Sequence, residues 1–296
     1  MKFVLVTGAS GYLGRHVVAE LKRNGHRVRA LVRQRDPLWK RSEQLAPAVG
    51  SEVDEIIMGD LTQPGHLQGL CNQIQCVISC ASLSNQDAKK FSPEQVDYQG
   101  HRNLLAEAIR AGSVEKFIYV SMAPRLGAAE PLAQAKEKFV KELQESVMTS
   151  YTIRPTLYYA ELISLLYMAH QGTLWLPGDS QRKFNPIHGQ DLAEICIKGM
   201  IAKEKEIEVG GAESLSFYDC AQLAFKAQKK ASRILPIPEP LAGLAQGWLS
   251  VFGRQQLHGY KSLRSPFMHS KVAPAYGKQK LADYFQQYVE SPFFRP

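Results

Sequence analysis

A doubly wound α/β fold, a parallel sheet with helices on both faces, is what this 296-residue sequence predicts. Three observations carry the prediction. An apolar run, Phe3-Val4-Leu5-Val6, leads straight into Gly8, Gly11 and Gly14 at three-residue spacing, the pattern of a strand buried on both faces that turns tightly into a helix. Short β-rich runs then alternate with amphipathic helical stretches through the first half of the chain. Finally, 45% of the residues are hydrophobic and 22% charged, enough apolar surface for one large α/β domain and a smaller appendage.

The first strand needs the glycines that follow it. Gly8 permits the bend, Gly11 lets main-chain N–H groups approach an anion, and Gly14 allows the next helix to pack close to the sheet. That helix is predicted from Tyr12 to Arg23, closed by Asn24-Gly25, and its N-terminus points a positive dipole end at the turn. A turn of this kind holds the pyrophosphate of a dinucleotide, and Ser10 and Leu13 lie within it as candidate cofactor-binding residues.

A second strand spans Val28 to Val32, and Arg27, Arg29, Arg33 and Arg35 surround it. The carboxyl end of such a strand meets the adenosine ribose, where an acidic residue would accept the 2′-hydroxyl of NAD and an arginine would pair with the 2′-phosphate of NADP. Val32-Arg33-Gln34-Arg35 predicts NADP rather than NAD.

Further strands are predicted at Glu55–Gly59, Gln75–Ser79, Lys116–Val120 and Tyr151–Arg154. Between the fourth and fifth lies a long helix opened by Ser92-Pro93-Glu94-Gln95, a capping box, and closed by Ala111-Gly112. Leu104, Leu105, Ala108 and Ile109 share one face of it and are expected in the core. Another helix covers about residues 130–146. These elements give a dinucleotide-binding domain over 1–154. The remainder, 155–296, reads as a substrate-covering region partly interleaved with the sheet. Its predicted helices lie at Glu161–Gln171, Asp191–Ala202, Ser216–Lys229, Leu241–Phe252 and Lys280–Tyr288, and its strands at Ile207–Val209 and Arg233–Ile237. Leu235-Pro-Ile-Pro-Glu-Pro240 reads as a rigid connector.

Composition excludes several function classes. The five cysteines form no Cys-x-x-Cys pair and stand in apolar surroundings, so reduced buried thiols are expected and a metal site is not. No apolar segment approaches membrane-spanning length and the N-terminal apolar run is too short for a signal peptide, so a cytoplasmic protein without an integral membrane segment is expected. The net charge is +8, yet the basic residues are scattered, which argues against nucleic acid as a partner and leaves a small molecule. Leu157, Tyr158, Tyr159, Leu162, Leu165, Leu166, Tyr167, Trp175 and the 244–252 stretch suggest an apolar ligand, with core packing as the alternative for much of that surface. Leu241, Leu244, Trp248, Leu249 and Phe252 with Lys261, Arg264 and Lys271 would also make an amphipathic basic surface for lipid, but glycines interrupt the segment and a buried helix explains it as well. No motif addresses oligomeric state.

Taken in order, Thr7-Gly-Ala-Ser-Gly-Tyr-Leu-Gly14, Gly59-Asp60-Leu61, Val96-Asp-Tyr-Gln-Gly-His-Arg-Asn-Leu-Leu105, Phe117-Ile-Tyr-Val-Ser121, Tyr151-Thr-Ile-Arg-Pro155 and Asn185-Pro-Ile-His-Gly-Gln-Asp-Leu-Ala193 resemble an atypical, extended short-chain dehydrogenase/reductase of the NAD(P)H-binding, NmrA-like group. The resemblance implies that Asp60 holds the adenine amino group with Leu61 against the ring. It also implies that Ala81 and Ser82 line the nicotinamide side and that Tyr12 covers the pyrophosphate. His188 and Asp191 more often fix a loop and cap a helix in this group than do chemistry.

Carbonyl reduction in that superfamily uses a serine, a tyrosine and a lysine. Ser121 stands at the serine position and Lys136 at the lysine position, where it also binds the nicotinamide ribose. The tyrosine position is then Leu132; aligning Lys138 instead makes it Gln134. Three sources of the missing proton remain: Lys136, its pKa lowered by burial; Tyr158 or Tyr159 beyond Arg154-Pro155; or neither. Two functions follow, an NADPH-dependent reductase of a carbonyl or activated double bond, or a catalytically silent NADP(H)-binding sensor or assembly protein.

Overall fold

The computed structural model describes residues 1–84, 87–123, 130–177, 179–237 and 271–296. Two compact units form, Met1–Pro155 with Leu192–Glu208, and Thr156–Asp191 with Val209–Pro296. The described strands are β1 (Phe3–Thr7), β2 (Arg27–Val32), β3 (Glu55–Met58), β4 (Cys76–Ser79), β5 (Lys116–Val120), β6 (Ser150–Pro155), β7 (Leu174–Pro177), β8 (Lys183–Phe184), β9 (Glu206–Val209), β10 (Leu215–Ser216) and β11 (Ile234–Ile237). The helices are α1 (Tyr12–Arg23), α2 (His101–Ala111), α3 (Pro131–Glu145), α4 (Ile163–His170), α5 (Gly189–Gly199) and α6 (Phe217–Ala227), with a last described helix at Leu281–Val289.

In the first unit a seven-stranded sheet runs in the order β3-β2-β1-β4-β5-β6-β9. β1 through β6 pair in parallel, with Thr7 opposite both Leu31 and Ser79. Chain order reverses on either side of β1, so a crevice opens beyond the carboxyl ends of β1 and β4, the place where such sheets bind ligands. All five residues of β1 are buried, and a core of Leu5, Leu31, Val77, Leu104, Phe117 and Phe139 fills one face of the sheet. Hydrophobic burial at about 25 cal/mol per Å² makes this packing the main stabilising term.

Most predicted elements appear within a residue or two, and the departures have local causes. The long helix opens as a π-helical segment, Glu94–Gly100, before continuing as α2. The predicted capping box precedes it, Ser92 N–H donating to Gln95 Oε1 at 2.8 Å and Gln95 N–H to Ser92 Oγ at 3.3 Å. Ile109, expected in the core, is 41% exposed, because the buried stripe of α2 follows Leu104, Leu105 and Ala108. The helix expected from Glu161 starts as a 3₁₀ turn, Tyr159–Leu162, before α4.

The second unit packs α4, α6 and Leu281–Val289 together. It also carries an antiparallel pair, β8 with β10, and a parallel pair, β7 with β11. Ile234–Ile237 is thus a strand, which corrects the connector reading for that part of the proline-rich segment. Leu157, Tyr159, Leu162, Leu165 and Leu166, expected against a ligand, are buried side chains of this unit's core, and Tyr159 Oη donates to the Gln279 carbonyl at 2.7 Å. The predicted helix Leu241–Phe252 and the basic residues Lys261 and Arg264 lie outside the described residues. No helix among the described residues is long and apolar enough to cross a membrane.

Candidate functional site

A cavity of about 200 Å³ occupies the crevice of the first unit. Gly8, Ser10 and Gly11 form its floor at the end of β1, Arg33 and Asp60 stand at the ends of β2 and β3, and Ala81, Ser82 and Leu83 follow β4. Two of the turn's glycines, Gly8 and Gly14, tolerate no side chain. Gly8 has φ +70°, and a Cβ on it would lie 2.7 Å from the Ala81 main-chain nitrogen; one on Gly14 would lie 2.1 Å from the Gly8 oxygen. Gly11 N–H donates to Gly8 O at 2.9 Å, closing the turn. α1 begins there with no side-chain cap and no acidic residue in its first turn, leaving its leading N–H donors for an anion. This cradle fits the pyrophosphate of a nicotinamide dinucleotide, which the leading N–H groups of α1 would meet. Leu13 itself is buried in the core and Tyr12 packs edge-on against His16 at 5.2 Å.

At the adenosine end, Arg33 lines the cavity and Arg35 does not; Arg35 is exposed ahead of a short helical turn, Asp36–Trp39. Arg33 Nη2 donates to Asp87 Oδ2 at 2.7 Å. That hydrogen bond is the first of the influences raising the Arg33 pKa. Arg27 and Arg29 serve the fold, stacking on Phe3 and pairing with Glu55. Asp60 Oδ1 accepts from Thr62 N–H and Thr62 Oγ, each at 2.8 Å, so it locks its own turn while facing the cavity beside Leu61.

A buried polar network lies behind the cavity wall. Ser82 Oγ donates to Asp97 Oδ1 at 2.6 Å and Leu83 N–H to Asp97 Oδ2 at 3.1 Å. Lys136 Nζ lies 3.3 Å from Asp97 Oδ1 and 3.5 Å from the Val120 carbonyl, and it faces the Tyr119 hydroxyl. Burial disfavours the ammonium, but the Tyr119 oxygen and the Asp97 carboxylate outweigh it, so the Lys136 pKa is raised. This reverses the expectation that burial lowers it, because the Asp97 carboxylate is buried beside the ammonium. Burial pushes the Tyr119 phenol up to about 12 and the Cys80 thiol, at the cavity, up to about 12.

A second chain of hydrogen bonds joins the ends of β1 and β4 to α2. Thr7 Oγ1 and Ser79 Oγ are 2.8 Å apart, and Ser79 Oγ is 2.9 Å from His101 Nε2. His101 Nδ1 faces the Val96 carbonyl at 3.2 Å, which assigns the ring proton to Nδ1 and makes Nε2 the acceptor. Burial first, then the Lys136 charge, lowers the His101 pKa to about 4.

The predicted catalytic residues are distributed unevenly. Ser121 and Lys136 belong to the first unit. Ser121 is 4% exposed, and its Oγ has no hydrogen-bond partner among the described residues. Lys138 points outward to Glu94 and over the Tyr98 ring at 3.9 Å. Leu132 lies one helical turn ahead of Lys136 on α3, and no phenol stands there. Tyr158 belongs to the second unit, half-buried, its N–H donating to Glu161 Oε2 at 2.7 Å. His188 packs against Tyr159 and Tyr284, its pKa lowered to about 4 by burial. No cluster of metal-ligating side chains occurs among the described residues.

Sequence reading missed Asp87, Asp97, His101 and Tyr119. Asp97 and His101 had a signal: they precede Leu104 by seven residues and Leu105 by four, which carries the buried stripe of α2 back onto them.

Comparisons with known proteins agree with this geometry. The NmrA-like family profile matches residues 1–229. Divinyl chlorophyllide a 8-vinyl-reductase, chloroplastic, of Zea mays is 26% identical, the match covering 97% of this chain and 79% of that protein. Photosystem II assembly factor Ycf39 of Guillardia theta is 25% identical over 79% of this chain and 73% of its own length. Among solved structures, UDP-glucose 4-epimerase of Thermus thermophilus in complex with NAD superposes with a TM-score of 0.62 at 19% identity, covering 88% of this chain and 97% of that one. With the profile spanning residues 1–229 of 296 and a glycine-floored cavity at the head of the sheet, the chain belongs to the NmrA-like family, an NAD(P)-binding group of the extended short-chain dehydrogenases/reductases.

Proposed function

We propose that the protein is an NADPH-dependent reductase of a carbonyl or activated carbon–carbon double bond in an apolar organic substrate, working without its superfamily's tyrosine. One observation carries the reading: the buried Lys136 ammonium is linked through Asp97 to Ser82 in the cavity wall. A buried ion pair is weak evidence of stability, and one tied to a ligand cavity is a functional candidate. The similarity to an 8-vinyl-reductase supports the double-bond arm.

When bound, NADPH supplies the hydride. Gly8, Ser10, Gly11, Tyr12 and Leu13 would hold its pyrophosphate, Arg33 its 2′-phosphate, Asp60 and Leu61 its adenine, and Ala81, Ser82 and Lys136 its nicotinamide riboside. Lys136, kept protonated by Asp97, stabilises negative charge developing on the substrate and is the first candidate proton source. The unpartnered Ser121 hydroxyl donates to the same substrate atom. Tyr158 is the second candidate donor. The cytoplasmic location expected from the sequence belongs to the same proposal, although the maize relative is named as chloroplastic; fractionation of native cells tests it.

Leu132 at the phenol position and the similarity to an assembly factor favour a second reading, a dinucleotide-binding protein that assembles with a partner and does no chemistry. Consumption of NADPH with a panel of enones, vinyl arenes, quinones and ketones separates the two. The reductase reading expects turnover with at least one class, lost in Lys136→Met. Tight NADPH binding with no turnover across the panel supports the second.

A further inference from the structure

Among the described residues lining the cavity, Arg33 is the one cation, and it shares that wall with two carboxylates, Asp60 and Asp87. Asp87 Oδ2 accepts from Arg33 at 2.7 Å through a single nitrogen, Nη2, and among the described residues the other guanidinium donors have no hydrogen-bond partner. Asp87 is also held independently of Arg33. Ser84 Oγ donates to Asp87 Oδ2, and Asp87 N–H donates to Ser84 Oγ at 3.2 Å. Its carboxylate thus has a hydrogen-bond partner besides Arg33. A 2′-phosphate approaching Arg33 must share the guanidinium with Asp87 and meets its repulsion, whereas a 2′-hydroxyl finds in the same carboxylate a hydrogen-bond acceptor. Specificity is a difference of two affinities, and this residue acts on both.

We propose that Asp87 is a specificity-determining residue that weakens the NADPH preference set by Arg33, so that the cavity accepts NADH as well. The inference rests on the dinucleotide reading of the cavity. The Arg33 side chain is 54% exposed and that of Asp87 22%, so the ion pair itself is weak and solvent-screened, and the effect is on selectivity more than on fold.

Calorimetric titration of NADPH and NADH into the full chain, its Asp87→Asn and Asp87→Ser variants, and the same changes in an Arg33→Ala background tests this. Removing Asp87 is expected to tighten NADPH binding by about fivefold and to leave NADH unchanged or weaker by about twofold. In the Arg33→Ala background the same changes are expected to alter the NADPH:NADH ratio by less than about twofold. An unchanged ratio in both Asp87 variants, or an equal change with and without Arg33, overturns the proposal. Failure of folded wild-type protein to bind either dinucleotide overturns the cofactor reading and this inference with it.

Discussion

Lys136 Nζ and Asp97 Oδ1 stand 3.3 Å apart with side chains 6% and 0% exposed. Removing either partner leaves a charge buried without its counter-ion, a loss on the order of 3 kcal/mol. Lys136→Met and Asp97→Asn should each lose about that much in urea denaturation. The double variant should lose less than the sum by about 1 kcal/mol or more. Strict additivity would show that the pair is not coupled.

Acid should destabilise the protein through its neutral histidines. His101 and His188 titrate near 6.5 when unfolded, and burial lowers both to about 4 in the fold. Their contribution is complete above pH 6.5 and is lost as the pH falls from 6.5 toward 4, because the unfolded chain binds protons that the folded chain refuses. Each accounts for up to about 3 kcal/mol. His101→Gln should therefore shrink the stability difference between about pH 7 and about pH 4.5; an undiminished difference would exclude His101 as a source.

Gly11 separates cofactor affinity from folding. A Cβ on Gly11 meets only the Gly8 oxygen, at 3.2 Å, and otherwise projects into the cavity where the diphosphate is expected. Gly11→Ala should keep its thermal midpoint within about 2 °C of wild type while losing about tenfold in NADPH affinity. Unchanged affinity would remove the diphosphate from this floor.

Leu132 precedes Lys136 by one turn of α3, so Leu132→Tyr restores a phenol beside the ammonium. If hydride chemistry takes place here, carbonyl turnover should rise by about tenfold, with NADPH affinity unchanged. Steady-state kinetics and calorimetry on the same preparation read the two separately.

The sheet and cradle were legible because burial on both faces leaves uninterrupted apolar runs, and because the turn after β1 admits only glycine at Gly8 and Gly14. The Asp97–Lys136 pair was not legible, since a carboxylate within Val96-Asp-Tyr-Gln looks solvated until its register with Leu104 is worked out. Asp87 had no sequence signal at all: it meets Arg33 across 54 residues of chain through the reversal of strand order at β1. β7, β8 and β10, each of two to four residues, are too short for a periodicity to register. Tertiary packing also decided that Leu162, Leu165 and Leu166 are core and not ligand surface.

Calorimetric titration of NADPH into folded wild-type protein tests the central claim most directly. The account predicts one saturable site per chain, weakened in Gly11→Ala. Absence of saturable binding to protein with an intact thermal transition would contradict it.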